Sequence, residues 1–348
     1  MARSLALALQ HSLSGLVVLA VAQAAAPAPV VFSRDTFNVS LISNLTYGQG
    51  LACRGDQYNA SLCRPVNLLL DVTLPAARGV PVPPLKPALI IAHGGGNDAG
   101  SKEELCLQAS AAFFAARGFV AFNIDYRLAG DHGLLPPKNA SPAADWTPTW
   151  QSGYPATRDL KAAVRFVRAQ AALFGVDGGR IVVSGGSAGA TNALAAGATF
   201  EGDYVDELSV DEDPTLATTH LGVSSVVQAV YSHWSSDGEV LLPQQHDPEN
   251  RTRYTAANAP VAEFHGNNDT LIPIAHAYAV QAAYARTGVP YELVVLDGCG
   301  HSAWCYDGHG HCSDFCPTGG NTTDGYDPTM DAIALPILAR FLNLTLEP

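Results

Sequence analysis

The 348-residue chain has few basic side chains and little charge of any kind, with 19 Lys and Arg against 32 Asp and Glu and a formal net charge of −13. Nucleic-acid binders need basic stripes to meet phosphates, and anionic membrane surfaces recruit clusters of Lys and Arg, so neither kind of partner fits. There is no Walker lysine and no G-x-G-x-x-G, which argues against a phosphate cradle. The acidic segment 201–214 lacks EF-hand spacing and is expected to be a surface insertion, not a metal site. Beyond the N-terminus no apolar run is long enough to span a bilayer. The chain shows neither an internal repeat nor a dividing linker.

What the chain does have begins with a leader. Arg3 is its only formally charged side chain, 16–22 form its apolar centre, and Ala22-Gln23-Ala24 is an A-x-A cleavage site. Residues 1–24 are therefore predicted to be a signal peptide and 25–348 a single domain, exported and secreted. Sequons at Asn38, Asn44, Asn59, Asn139, Asn250, Asn268, Asn321 and Asn343 agree with a secreted glycoprotein. The seven cysteines suit an oxidising compartment, and their odd number leaves at least one without an intramolecular partner. Cys53 and Cys63 are placed to staple a loop, and Cys106, within a helical pattern, is the candidate for a buried free thiol. Cys305, Cys312 and Cys316, with His309 and His311 between them, resemble a zinc site in spacing. The compartment favours two disulfides with Cys299, and no metal is expected.

Strand and helix patterns alternate along the chain. Strands are predicted at 37–47, 66–74, 88–92, 119–124, 181–183, 226–231, 260–264 and 291–296, and 88–92 is a continuous apolar run of the kind buried on both faces of a parallel sheet. Helices are predicted between them. In the clearest, Leu160, Ala163, Val164 and Val167 share one face while Arg158, Lys161, Arg165 and Arg168 lie off it. A last helix is capped by Asp327 with Pro328 at its first position. Residues 129–155 are expected to form a long loop carrying Trp146, Trp150 and Tyr154. The fold class is α/β, a mostly parallel central sheet with helices on both faces and only small insertions.

The motifs carry the chemistry. Gly185-Gly186-Ser187-Ala188-Gly189 is a G-x-S-x-G sequence after a β-branched run, the pattern of a serine at the tip of a sharp strand-to-helix turn. A side chain at Gly185 or Gly189 would collide with neighbouring backbone. A serine hydroxyl is a poor nucleophile until an imidazole takes its proton, and the imidazole needs a carboxylate on its other nitrogen. Asp269, after the seventh predicted strand, and His301, after the eighth, follow the serine in the order Ser…Asp…His. Ser187 is accordingly the candidate nucleophile, His301 the general base, and Asp269 the orienting acid. Asp297 is a rival acid on the same loop as His301, and Asp269 is preferred because it projects from a separate strand. His93-Gly94-Gly95-Gly96 follows the run 88–92. The amides of Gly95 and Gly96, with that of Ala188, are the candidate oxyanion hole, and His93 is expected to shape the loop. Trp146, Trp150 and Trp304 are the candidate substrate-binding residues, with Tyr154 and Trp234 as further aromatic candidates.

Together, "AHGGGNDAGSKEE", "ARGFVAFNIDYRLA", "DLKAAVRFVRAQAALFGVDGGRIVVSGGSAGA", "FHGNNDTLIPIAHA" and "GCGHSAW" resemble the HGGG-type esterase and lipase branch of the α/β-hydrolase fold, over about residues 66 to 342. The sequence is similar to secreted carboxylesterases, including the group related to feruloyl and acetyl-carbohydrate esterases. That resemblance implies ester hydrolysis through an acyl-enzyme, no cofactor, and a small-molecule or carbohydrate-linked ester as substrate. It leaves oligomeric state open. The alternatives are a serine peptidase of the same fold and a non-catalytic hydrolase-fold binding protein. Asn97-Asp98 departs from the branch, whose members often carry an aromatic or aliphatic residue after HGGG. The segment 305–316 departs from it as well.

Overall fold

The computed structural model describes residues 29–136, 148–304 and 326–348. The predicted signal peptide, Trp146, Asn139, Asn321 and the cysteines and histidines of 305–316 lie outside the described residues.

Strand β1 (Val30–Phe32) is followed by the long hairpin of β2 (Asn38–Cys53) and β3 (Cys63–Ala76), whose ends Cys53 and Cys63 are register partners joined by a disulfide. Then come β4 (Lys86–Ala92), α1 (Leu105–Ala115), β5 (Val120–Ile124), α2 (Pro148–Ala169), α3 (Ala171–Phe174) and β6 (Val176–Gly186). The second half runs α4 (Ala188–Ala198), β7 (Ala229–His233), α5 (Gly238–His246), β8 (Val261–Gly266), α6 (Ala275–Tyr284), β9 (Tyr291–Leu296), α7 (Thr329–Phe341) and β10 (Thr345–Glu347). Among the described residues, eight strands form one sheet in the order β2-β3-β5-β4-β6-β7-β8-β9, parallel from β5 to β9 with the antiparallel β2–β3 hairpin at one edge. Apart from it, β1 pairs in parallel with β10.

The continuous apolar run of β4 follows from this layering. Ala88, Ile90 and Ala92 belong to a core shared with α2 and α4, while Leu89 and Ile91 belong to one shared with α1 and α7. A strand covered on both faces has no reason to alternate with polar residues. The chain passes from β4 outward to β5, then returns to β6 on the other flank of β4. The carboxyl ends of β4 and β6 therefore lie side by side where the strand order reverses, the place where open α/β sheets bind ligands. No helix among the described residues is long and apolar enough to cross a membrane.

Several expectations are corrected. The stretch predicted as loop through 155 becomes helical from Pro148, so Trp150 and Tyr154 stand on α2. Pro155 hides that start, because proline lacks the N–H an inner helical position uses. Arg158, Lys161 and Arg165, off the apolar face of α2, are buried all the same. The segment that follows α4 covers them and turns carbonyl oxygens toward them: Lys161 Nζ donates to Asp203 O (2.7 Å) and Phe200 O (2.9 Å), and Arg165 Nε to Thr219 O (2.7 Å). Cys106, buried in the first turn of α1, is disulfide-bonded and is not the free thiol; Cys299 is disulfide-bonded as well. The last helix begins one residue later than predicted, and Asp327 Oδ1 accepts the N–H of Thr329.

Candidate active site

Ser187 stands between the last residue of β6, Gly186, and the first residue of α4, with φ 57° and ψ −122°. A non-glycine residue at positive φ is strained, and strain at such a turn lifts the side chain clear of the backbone. The flanking glycines make the turn possible. A Cβ at Gly185 would lie 2.6 Å from Ala92 O and 2.5 Å from the carbonyl carbon of Gly189. A Cβ at Gly189 would lie 2.3 Å from Ala92 O and 2.4 Å from His93 O. The Ser187 amide is committed to His233 O at 3.0 Å, which leaves the next amide, that of Ala188, at the opening of α4.

The other two candidates converge on the serine. His301 Nε2 lies 2.9 Å from Ser187 Oγ, and His301 Nδ1 lies 2.7 Å from Asp269 Oδ2. Asp269 Oδ1 accepts the N–H groups of Leu271 and Ile272, each at 2.9 Å, so the carboxylate is held at both oxygens. The Asp269 side chain is 0% exposed and that of His301 15%, a closed acid behind a reachable base. The loops bearing them leave the adjacent parallel strands β8 and β9. Asn267 locks the loops together, accepting from Gly298 N (2.8 Å) and donating to Asp297 Oδ1 (2.7 Å). The rival acid is thus engaged away from His301.

The glycine loop after β4 meets the serine turn directly, since a Cβ on Gly94 would lie 3.5 Å from Ser187 Cβ. Gly95 and Gly96 adopt φ of 94° and 67° at the exposed rim, and among the described residues neither their amides nor that of Ala188 donates a backbone hydrogen bond outside helices and strands. His93 is structural as expected. Its Nδ1 donates to Gly94 O (2.8 Å), its ring stacks on Tyr126 at 4.1 Å, and Tyr126 Oη donates to His93 O (2.7 Å). Burial lowers the His93 imidazole to about 4. The unusual Asn97 has a physical role. It takes a left-handed φ of 58°, which asparagine tolerates, and its buried Oδ1 accepts from Asn192 Nδ2 on α4 (2.9 Å). Asn192 Oδ1 in turn accepts from Thr157 on α2 (3.1 Å), so three amide and hydroxyl groups tie the glycine loop to the serine's helix.

Of the substrate-binding candidates, Trp304 reaches the site: a Cβ on Gly186 would meet its Cζ2 at 2.6 Å. Trp150 lies instead with its ring 6.0 Å from His246 of α5, against the core. Trp234, fully buried at φ 46°, packs 6.0 Å from the His301 ring and 4.9 Å from Trp304. The sequence reading did not single out the partners of Asp269 and His301 on the inner side; one signal was present, His265 four residues before Asp269. Among the described residues, no group of three or more His, Cys, Asp or Glu side chains is arranged to hold a metal ion.

Residues 70–232 match the family model described as BD-FAE, an α/β-hydrolase-type esterase family. Among solved structures, a thermophilic esterase from the Planctomycetes species Thermogutta terrifontis, Est2 with propionate bound, is 23% identical, with 86% of this chain and 94% of that chain covered and a TM-score of 0.56. The Thermogutta terrifontis esterase 2 phosphorylated by paraoxon is 24% identical over 85% of this chain and 95% of that one, TM-score 0.56. The same esterase phosphonylated by sarin is 25% identical over 80% and 92%, TM-score 0.55. Among curated proteins no sequence matches. These likenesses agree with the α/β-hydrolase topology described above.

Proposed function

This chain is an ester hydrolase of the α/β-hydrolase fold, and from that premise we propose that it is a secreted, glycosylated serine carboxylesterase working through Ser187, His301 and Asp269. The observation that carries the reading is the unbroken chain of contacts Ser187 Oγ–His301 Nε2 (2.9 Å) and His301 Nδ1–Asp269 Oδ2 (2.7 Å). His301 Nε2 takes the proton as Ser187 Oγ attacks the ester carbonyl, and Asp269 holds the Nδ1–H and faces the imidazolium that forms. The carbonyl oxygen, now negative, is met by the amides of Gly95, Gly96 and Ala188, with the N-terminus of α4 behind them. Collapse expels the alcohol, which receives its proton from His301, and leaves an acyl-Ser187. Water activated by the same imidazole then releases the acid.

The substrate is read as a small-molecule or carbohydrate-linked ester with a short acyl group. Trp304 packs on Gly186 next to Ser187 and the Trp234 ring lies 6.0 Å from that of His301, and a structural relative is seen with propionate bound. Export is supported by the leader sequence, the sequons and the disulfides.

Ser187→Ala should abolish hydrolysis of p-nitrophenyl acetate, a loss of about 10⁶-fold in kcat, with the circular dichroism and melting of the wild type retained. Full activity in this variant would overturn the assignment. Paraoxon, which phosphorylates the relative, should label the wild type on the Ser187 peptide and leave Ser187→Ala unlabelled. A panel of acetyl, butyryl, long-chain and feruloyl esters then ranks the acyl group.

A further inference from the structure

Behind Asp269 lies a second imidazole and a second carboxylate, both with 0% side-chain exposure. Glu263 and His265 stand two residues apart on β8, which puts them on one face of the strand. The ring of His265 is fixed by oxygens on both sides. Its Nε2 lies 2.8 Å from Ile272 O, and a carbonyl only accepts, so Nε2 carries hydrogen. Its Nδ1 lies 3.2 Å from Glu263 Oε1. The Glu263 carboxylate already receives Ser235 N–H on Oε1 (2.9 Å) and Ser235 Oγ–H on Oε2 (3.0 Å). A carboxylate supplied with two donors is best satisfied as the anion, which leaves Nδ1 to donate as well. Both ring nitrogens thus face acceptor oxygens, a setting that suits a ring protonated at both and enclosed by protein. His265 Nε2 also stands 3.6 Å from Asp269 Oδ2, the same oxygen that accepts from His301 Nδ1.

Resting on the assignment of Ser187, His301 and Asp269 above, we propose that Glu263 and His265 extend the triad inward as a charge-alternating row, Glu263⁻–His265⁺–Asp269⁻, in which His265 is a positioning residue that holds Asp269 Oδ2 on His301. The general base must offer a free lone pair to Ser187, so it lends Asp269 no charge, and a fully buried carboxylate is stabilised by a cation beside it. His265 supplies that cation without itself touching substrate. The surrounding elements leave the row isolated. Burial pulls His265 down and the bonded Glu263 more than offsets this, so the net shift is upward. Burial pushes the Tyr291 phenol of β9 well up and the His233 imidazole of β7 down, so both stay neutral beside Glu263. Among the described residues, the ionised groups facing His265 are then Glu263 from its own strand and Asp269 from the loop after it.

Such a row has a signature that packing alone does not produce. Removing the positive charge 3.6 Å from Asp269 favours protonation of His301, so the acid limb of kcat/KM should move to higher pH. The test uses His265→Gln and Glu263→Gln in the full chain, with p-nitrophenyl acetate as substrate. Each should lower kcat by about tenfold or more while leaving KM nearly unchanged, and each should move the acid limb upward, Glu263→Gln because His265 without its anionic partner gives up its proton. In an Asp269→Asn background His265→Gln should cost nothing further, because it acts through the group already removed. An unmoved acid limb in both variants, or losses that multiply in the double variant, overturns the proposal. Glu263→Gln keeps the ring and the side-chain volume, and it decides the matter should His265→Gln fail to fold. An active Ser187→Ala would sink the triad assignment itself, whereas an inert Ser187→Ala beside fully active His265→Gln and Glu263→Gln would sink only the inner row.

Discussion

The half of the site that leaves β4 and β6 and the half that leaves β8 and β9 are held by opposite means. In the first, a Cβ at Gly95, Gly185 or Gly189 would collide with main-chain atoms, and one at Gly94 would press on Gly186 O at 3.1 Å. In the second, side chains do the holding: Asp269 is gripped at both oxygens, Asn267 bridges two loops, and Glu263 and His265 stand beneath. The difference follows from the proposed tasks. An oxyanion hole and a strained serine need bare backbone in a fixed place, whereas an acid and a base need charges in a fixed order. Damage to the two halves should therefore read out differently, as stability in one and as rate in the other.

The largest expected effect lies in the charged half. Asp269→Asn should lower kcat by about 10⁴-fold while the melting temperature barely moves, since asparagine keeps the volume and an acceptor for the Leu271 and Ile272 amides. Steady-state kinetics and thermal melts on one preparation check both parts. Next comes the glycine half. Gly189→Ala puts a methyl group 2.3 Å from Ala92 O, and a loss of about 3 kcal/mol in denaturant unfolding is expected. Glu239 sharpens the comparison from outside the site. It is a buried carboxylate with no cation bonded to it among the described residues, and burial raises it to about 7. The unfolded group ionises near its ordinary 4.5, so above that pH the folded state carries a penalty that grows until pH 7. Glu239→Gln should accordingly stabilise by about 1–3 kcal/mol at pH 8 and by nothing near pH 4, measured as unfolding free energy at the two pH values. The smallest effect is expected at Gly96, where a Cβ meets open space. Gly96→Ala should cost only about 1 kcal/mol, from its φ of 67° alone. A larger loss there than at Gly189 would break the distinction between collision and conformation.

How much of this was legible in the sequence follows the same division. The glycine half could be read almost completely, because close backbone approach leaves its mark in consecutive letters: Gly94-Gly95-Gly96, and Gly185 and Gly189 around Ser187. Asp269 and His301 were legible from chain order, once the alternation of strands and helices placed each at the carboxyl end of a strand. The supports were not. Lys161 and Arg165 look like a solvated helix face until the segment after α4 folds over them and offers carbonyl oxygens. Cys106 looks like a lone thiol because a disulfide partner need not be near in sequence. His265 and Glu263 resemble ordinary strand residues, and only the approach of the loop carrying Asp269 and Ile272 gives them partners. Pro155 concealed two turns of α2 by a local rule that tertiary packing overrode.

The positive φ of Ser187 has a consequence for how such a chain changes over time. A strained serine opposes folding, and the close-packed glycines around it tolerate the strain without relieving it. Selection for robustness alone would favour glycine at 187, which adopts that φ without strain and would leave the same fold quieter and inert. In the role proposed for it, the serine is thus a compromise between endurance and turnover, concentrated in a single residue.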